Sequence, residues 1–151
     1  NYKSEMITDY FKDGSQLDVE IVYLREKMQT GTAGSLRLLP SINDESILVI
    51  NGDVLTKVDY LGLIKEHHDF NSDFTVCVRE FDFQVPYGVI GLEGNLVKRI
   101  DEKPVHSFFI NAGIYLINTS FLKMIPVDEK DMTDFIKSSI DHNLKCIAFP
   151  I

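Results

Sequence analysis

The chain has 151 residues, 44% hydrophobic, 25% charged and 11% aromatic, which is the balance of a globular domain with a real core. A net charge of -8 and a pI near 4.9 exclude a broad basic face for DNA or RNA, although a single Lys or a metal ion could still handle a phosphate locally. No run approaches the length of a membrane span.

Residues 2–13 place Tyr2, Met6, Ile7, Tyr10 and Phe11 at helical spacing, with Gly14 as the stop. Asp18 to Leu24 (DVEIVYL) alternates and is β-branched, so it reads as a strand. The stretch from Met28 to Leu39 then carries Gly31-Thr32-Ala33-Gly34, read as a loop opening a short helix through Leu36 and Leu39 that ends at Pro40. Ile47–Ile50 is wholly apolar, the pattern of a strand covered on both faces, and it stops at Asn51-Gly52-Asp53. Asp59 reads as the N-cap of a helix bearing Tyr60, Leu61, Leu63 and Ile64, and Phe74 to Phe81 as a strand.

A hairpin follows, Tyr87 to Glu93 turning at Gly94-Asn95 and returning through Leu96 to Asp101. Phe108 to Ile117 is a long apolar strand interrupted by Asn111 and Gly113. Ser120 is placed to cap a short helix ending at Pro126, and Thr133 a longer one with Phe135, Ile136 and Ile140 that stops at Asn143. Cys146 to Ile151 closes the chain as a strand. Alternating helices and strands imply an α/β fold with a three-layer, Rossmann-like, mostly parallel mixed sheet in a single domain over 1–151. Ligands of such sheets bind at the carboxyl edge of the strands. Cys77 and Cys146 read as two buried, reduced thiols of a cytosolic protein. His67, His68, His106 and His142 lack metal-site spacing.

Four groups of residues carry possible chemistry. Asn51-Gly52-Asp53 delivers a carboxylate to a strand end, suited to Mg²⁺, and is equally good turn chemistry. Asp101-Glu102-Lys103-Pro104 sets a carboxylate for sugar hydroxyls beside an ammonium for a phosphate, or is a solvated charged turn; Glu102 and Lys103 project oppositely unless the strand kinks. Asn111-Ala112-Gly113 marks either a close backbone approach or a β-bulge with an internally bonded Asn. Tyr87-Gly88 opens the hairpin, either as ligand contacts or as a strand start after Pro86. Gly31–Gly34 lacks the Lys and the spacing of a phosphate-binding P-loop, and the dinucleotide fingerprint is missing as well.

In order and spacing, Thr30-Gly31-Thr32-Ala33-Gly34, ILVINGD (47–53), Tyr87-Gly88-Val89, Glu102-Lys103-Pro104 and Asn111-Ala112-Gly113-Ile114-Tyr115 resemble the sugar-1-phosphate nucleotidyltransferases. Within that family they are most similar to mannose-1-phosphate and heptose-1-phosphate guanylyltransferase-like members, and the resemblance spans essentially the whole chain. It implies a nucleotide-diphospho-sugar transferase fold and magnesium-dependent nucleotidyl transfer from a nucleoside triphosphate to a sugar-1-phosphate. It further implies that Gly31, Thr32, Ala33, Gly34 and Gly52 bind the nucleotide, with the loop's backbone facing the base. Asp53 would be a catalytic ligand of Mg²⁺. Tyr87, Gly88, Glu102, Asn111, Ala112 and Gly113 would line the sugar-phosphate pocket, and Lys103 would meet the phosphate as a second catalytic residue. The partners implied are those two substrates, with no nucleic acid and no membrane, in a cytoplasmic protein that could form a homo-oligomer.

The family's Gly-rich triphosphate loop has no counterpart here, nor has its second metal carboxylate, and Gln29 and Thr30 stand where relatives often carry Pro and Leu. The expectation is an internal fragment, truncated at both ends and inactive in isolation. Two alternatives are a non-catalytic sugar-nucleotide-binding regulatory domain of the same fold and a metal-dependent glycosyltransferase. The latter needs a paired Asp-x-Asp, whereas Asp53-Val54-Leu55 offers one acid. The residues do not select base or sugar.

Overall fold

The computed structural model describes residues 4–26, 30–125 and 131–151. Tyr2 of the first helical face, Met28 and Gln29 of the glycine stretch and the proposed stop at Pro126 lie outside the described residues. The chain divides into two compact units, one of Asn1–Ile47 with Ile117–Cys146 and the other of Leu48–Leu116 with Ile147–Ile151.

Four helices form, α1 (Ser4–Phe11), α2 (Gly31–Gly34), α3 (Tyr60–Asp69) and α4 (Met132–Asp141). The strands are β1 (Ser46–Ile50), β2 (Phe74–Gln84), β3 (Gly88–Glu93), β4 (Leu96–Glu102), β5 (Val105–Asn118) and β6 (Cys146–Pro150). The main sheet has the order β1-β5-β2-β6, while β3 and β4 form a separate two-stranded sheet. Thr119 N–H donates to the Glu45 carbonyl and Asn51 N–H to the Gly113 carbonyl, so β5 runs antiparallel to β1. Val85 N–H reaches the Pro104 carbonyl and Ser107 Oγ the Asp82 carboxylate, which sets β5 antiparallel to β2 as well. The sheet is therefore mixed, its core strands mostly parallel, with β5 reversed between them.

In the second unit Leu63 of α3 packs on Cys77 of β2 and on Ile114 and Leu116 of β5, all at most 2% exposed. Helix α3 begins as its sequence requires, because the Asp59 carboxylate accepts the Gly62 N–H at 2.9 Å. Leu61 lies on the outer face at 81% exposure and takes no part in the core. His67 does, bonded through Nδ1 to Thr75 Oγ1 at 2.7 Å. In the first unit the core is Ala33, Leu36, Ile117, Ile125, Met132 and Phe135.

Several expectations change. Asp18 to Leu24 forms no strand: alternation supplies β-propensity, but a strand also needs a neighbour to bond, and the segment makes no ladder among the described residues. Leu48 and Ile50 share the outward face of β1 and are 39% and 43% exposed, so this strand is not covered on both sides. Two-sided burial belongs instead to Gly113–Ile117 of β5. Ser120 caps nothing; Thr119–Met124 is a 3₁₀ turn preceded by Asn118. Thr133 lies inside α4, which Asp131 precedes, while Asn143 does stop that helix in the left-handed region at φ 59°. The apolar face of α1 is exposed through Met6, Ile7 and Tyr10.

Cys77 is fully buried and Cys146 only half-buried, with no disulfide at either. Burial pushes the Cys77 thiol up to about 11. The unfolded chain ionises this thiol near its ordinary value of 9.0 and the folded chain does not, so its stabilising contribution is complete below pH 9 and is lost as pH climbs toward 11. A thiol reagent at pH 8 is expected to modify Cys146 first and Cys77 only after denaturation, read by mass spectrometry of tryptic peptides. Equal native rates would contradict the burial.

Candidate active site

In the first unit the glycine stretch is a turn of helix rather than a loop opening one. Gly31 enters at φ 73°, Gly31–Gly34 form α2, and the backbone tightens into a 3₁₀ turn over Ser35–Leu38. Ala33 and Gly34 are buried, while Gly31 and Thr32 are exposed. A Cβ on Gly34 would lie 2.5 Å from Thr30 Cβ, so packing alone demands glycine there. Thr30 Oγ1 in turn donates to the Glu26 carboxylate.

The exposed edge of α2 is tied to α4. Thr32 N–H donates to Asp131 Oδ1 at 3.2 Å, and the Met132 N–H donates to Thr32 Oγ1 at 2.9 Å. Asp131 sits at the N-cap of α4 yet makes no side-chain cap bond to that helix; the Thr32 hydroxyl satisfies its first amide instead. Of the four residues predicted to meet a nucleotide here, Gly31 and Thr32 present surface and Ala33 and Gly34 support it from beneath.

In the second unit, β1 ends in a turn closed by the Val54 N–H on the Asn51 carbonyl at 3.2 Å. The turn reading of Asn51-Gly52-Asp53 is thus correct as local structure, and it leaves the chemistry available. The Asp53 carboxylate is exposed and has no hydrogen-bond or ion-pair partner among the described residues, and a Cβ on Gly52 would meet nothing within 4 Å. No group of three or more His, Cys, Asp or Glu side chains gathers among the described residues. A single unengaged carboxylate fits Mg²⁺, which keeps several waters and is completed by substrate phosphates, and does not fit zinc.

The turn is anchored to β5, since Asn51 N–H bonds the Gly113 carbonyl at 2.8 Å. Gly113 adopts φ 74° within the strand, and the Asn111 side-chain Oδ1 accepts its N–H at 2.9 Å. Asn111 also donates to Tyr115 Oη at 2.7 Å. Burial raises the Tyr115 phenol and this bond pulls it partly back. Asn111 is therefore the internally bonded residue of a kinked strand, with one N–H to spare for a ligand. Asn111 and Ala112 line a cavity of about 230 Å³ with Val54, Thr56 and Arg79. Arg79 was not expected: within TVCVREF it reads as an ordinary outward position of a strand, and only the cavity singles it out.

The hairpin base brings the other predicted residues together. Gly88 pairs with Glu102 across β3 and β4, and a Cβ on Gly88 would sit 3.0 Å from Glu102 Oε2. Lys103 takes φ 46°, which supplies the kink that the alternation of Glu102 and Lys103 required, and its N–H reaches the Tyr87 carbonyl at 3.3 Å. Tyr87 is 74% exposed. Among the described residues no hydrogen bond or ion pair joins Glu102 or Lys103 to Asp53.

The chain is similar to proteins of known family. Residues 1–148 match the family described as nucleotidyl transferase. A probable mannose-1-phosphate guanylyltransferase 3 of Oryza sativa subsp. japonica is 33% identical over 165 residues, covering 99% of this chain and 45% of that protein. A mannose-1-phosphate guanyltransferase of Emericella nidulans is 35% identical over 134 residues, covering 83% of this chain and 37% of that protein. The chain thus spans less than half the length of these relatives. Crystallised HddC from Yersinia pseudotuberculosis complexed with GMP-PN superposes with a TM-score of 0.70 at 23% identity, covering 99% of this chain and 66% of that one, which shows a shared fold. No helix among the described residues is long and apolar enough to cross a membrane. By that match over nearly its whole length, the chain belongs to the nucleotidyl transferase family.

Proposed function

We propose that the protein transfers a nucleotidyl group from a nucleoside triphosphate to a sugar-1-phosphate, forming a nucleotide sugar and pyrophosphate, with a GDP-mannose or GDP-heptose type of product. The observation that carries this is the partner-free Asp53 carboxylate on a turn bonded to Gly113, beside the cavity of Asn111 and Arg79. A sugar-phosphate oxygen attacks the α-phosphorus in line, and the bond from that phosphorus to the bridging oxygen of pyrophosphate breaks. Such a transfer asks for positioning and charge neutralisation more than covalent help. Asp53 would hold Mg²⁺, which when bound supplies charge neutralisation at the phosphates. Glu102 accepts from sugar hydroxyls, Lys103 and Arg79 offer cations to the sugar phosphate, and the exposed edge of Gly31–Thr32 receives the base. The same reading treats residues 1–151 as one part of a catalytic domain working in the cytoplasm.

Pyrophosphate release by the intact protein, with GTP, UTP, dTTP and CTP against mannose-, glucose- and heptose-1-phosphates, tests the proposal. Magnesium-dependent turnover is expected, fastest with GTP. Turnover with no pair would overturn it.

A further inference from the structure

We propose that Asp131 is a positioning residue for the nucleobase, holding the exposed edge of α2 from 99 residues away in sequence. This rests on the reading of Gly31–Thr32 as the base-binding edge.

An Asp immediately before a helix ordinarily turns its carboxylate onto the second or third amide of that helix. Asp131 does not: its carboxylate leaves α4 uncapped and accepts from the Thr32 amide at 3.2 Å and, at 3.5 Å, faces the Thr32 hydroxyl. The Met132 amide, the first of α4, donates to Thr32 Oγ1 at 2.9 Å, while the Asp134 and Phe135 amides bond the Asp131 carbonyl at 3.1 Å. Hydrogen bonds therefore run between the two segments in both directions. A carboxylate serving only α4 would gain nothing from this arrangement, because its own helix amides are nearer. These bonds fix Thr32, which together with Gly31 forms the exposed part of α2. Ala33 and Gly34 hold the same turn from the buried side, Gly34 against Thr30. With both sides held, the Gly31–Thr32 backbone meets a flat ring already in place, and ordering it costs nothing at the moment of binding. The Thr32 amide is committed to Asp131, which leaves recognition to the remaining backbone groups of the edge.

The test compares Asp131→Ala and Asp131→Asn in the intact protein, the amide variant keeping an acceptor oxygen. Hydrogen exchange of the peptide containing Thr32 reads the tie, and calorimetric titrations with a non-hydrolysable GTP analogue and with mannose-1-phosphate read its consequence. A charged hydrogen bond of this kind predicts that Asp131→Ala accelerates Thr32 exchange and weakens the GTP analogue by about tenfold or more. Mannose-1-phosphate binding stays within about twofold, and Asp131→Asn recovers most of the analogue affinity. Unchanged exchange overturns the proposal, as does faster exchange with unchanged analogue affinity. Equal weakening of both ligands would mean a general loss of structure and also overturns it. A wild-type protein that binds triphosphate analogues of none of the four bases overturns the reading of the edge itself, and this proposal with it.

Discussion

Replacing Asp53 by Ala in the intact protein is expected to lower kcat about a thousandfold, roughly 4 kcal/mol of lost transition-state stabilisation. The side chain is exposed and has no hydrogen-bond or ion-pair partner among the described residues, so its removal strands no buried polar group. Melting temperature and circular dichroism are expected to match the wild type, which separates this loss from misfolding. Asp53→Asn keeps the shape and removes the charge, and is expected to fall nearly as far, since a neutral amide oxygen would hold the proposed Mg²⁺ far more weakly than a carboxylate. Steady-state pyrophosphate release over a magnesium titration is the measurement. A loss of less than tenfold at saturating magnesium would remove Asp53 from the catalytic role.

Gly113→Val is expected to be strongly destabilising although glycine brings no side chain to the apolar core. At φ 74° a residue with a Cβ is strained by about 1–2 kcal/mol, and a β-branched one by more. The new Cβ would also stand 2.7 Å from Asn51 Nδ2 and 3.1 Å from Val54 Cγ2, a clash with the turn that carries Asp53. Strain and overpacking together come to about 3 kcal/mol or more, a fall in melting temperature of about 10 °C for a chain of this size. Gly113→Ala should show a smaller loss of the same sign. Thermal unfolding followed by circular dichroism decides it; a Gly113→Val variant melting within about 2 °C of wild type would show that β5 does not need its kink. Activity should fall with stability here, unlike at Asp53, because the displaced groups are the supports of the site.

The two variants separate two kinds of information. Asp53, Gly88 and Asn111 stand out as candidates because each breaks a local pattern: a carboxylate closing an apolar strand, a glycine opening a hairpin, an amide inside a hydrophobic run; Glu102 stands out through its place beside Lys103 and Pro104. Local pattern also placed α3, its Asp59 cap, the Gly94-Asn95 turn and the Asn143 stop, since each depends on residues within a few positions of one another. DVEIVYL failed because strand formation is completed by a neighbour, and alternation alone does not supply one. Thr133 failed as a cap because the N-cap position of α4 lies two residues earlier, where the Asp134 and Phe135 amides bond the Asp131 carbonyl and the Met132 amide bonds Thr32, a partner that no window along the chain contains.

Sequence, then, determined the family and most of the order of elements, and it named the candidate ligand groups from their chemistry, because backbone conformation and residue chemistry are set locally. Folding in three dimensions decided which groups are free to act. Among the described residues it left the Asp53 carboxylate without a hydrogen-bond or ion-pair partner, tied Asn111 into Tyr115 and Gly113, and brought Arg79 to the cavity. It also turned Gly31–Gly34 from a loop into a helical turn braced by Asp131. Those outcomes depend on which distant segment reaches a hydrogen-bonding group first, and only packing settles that contest.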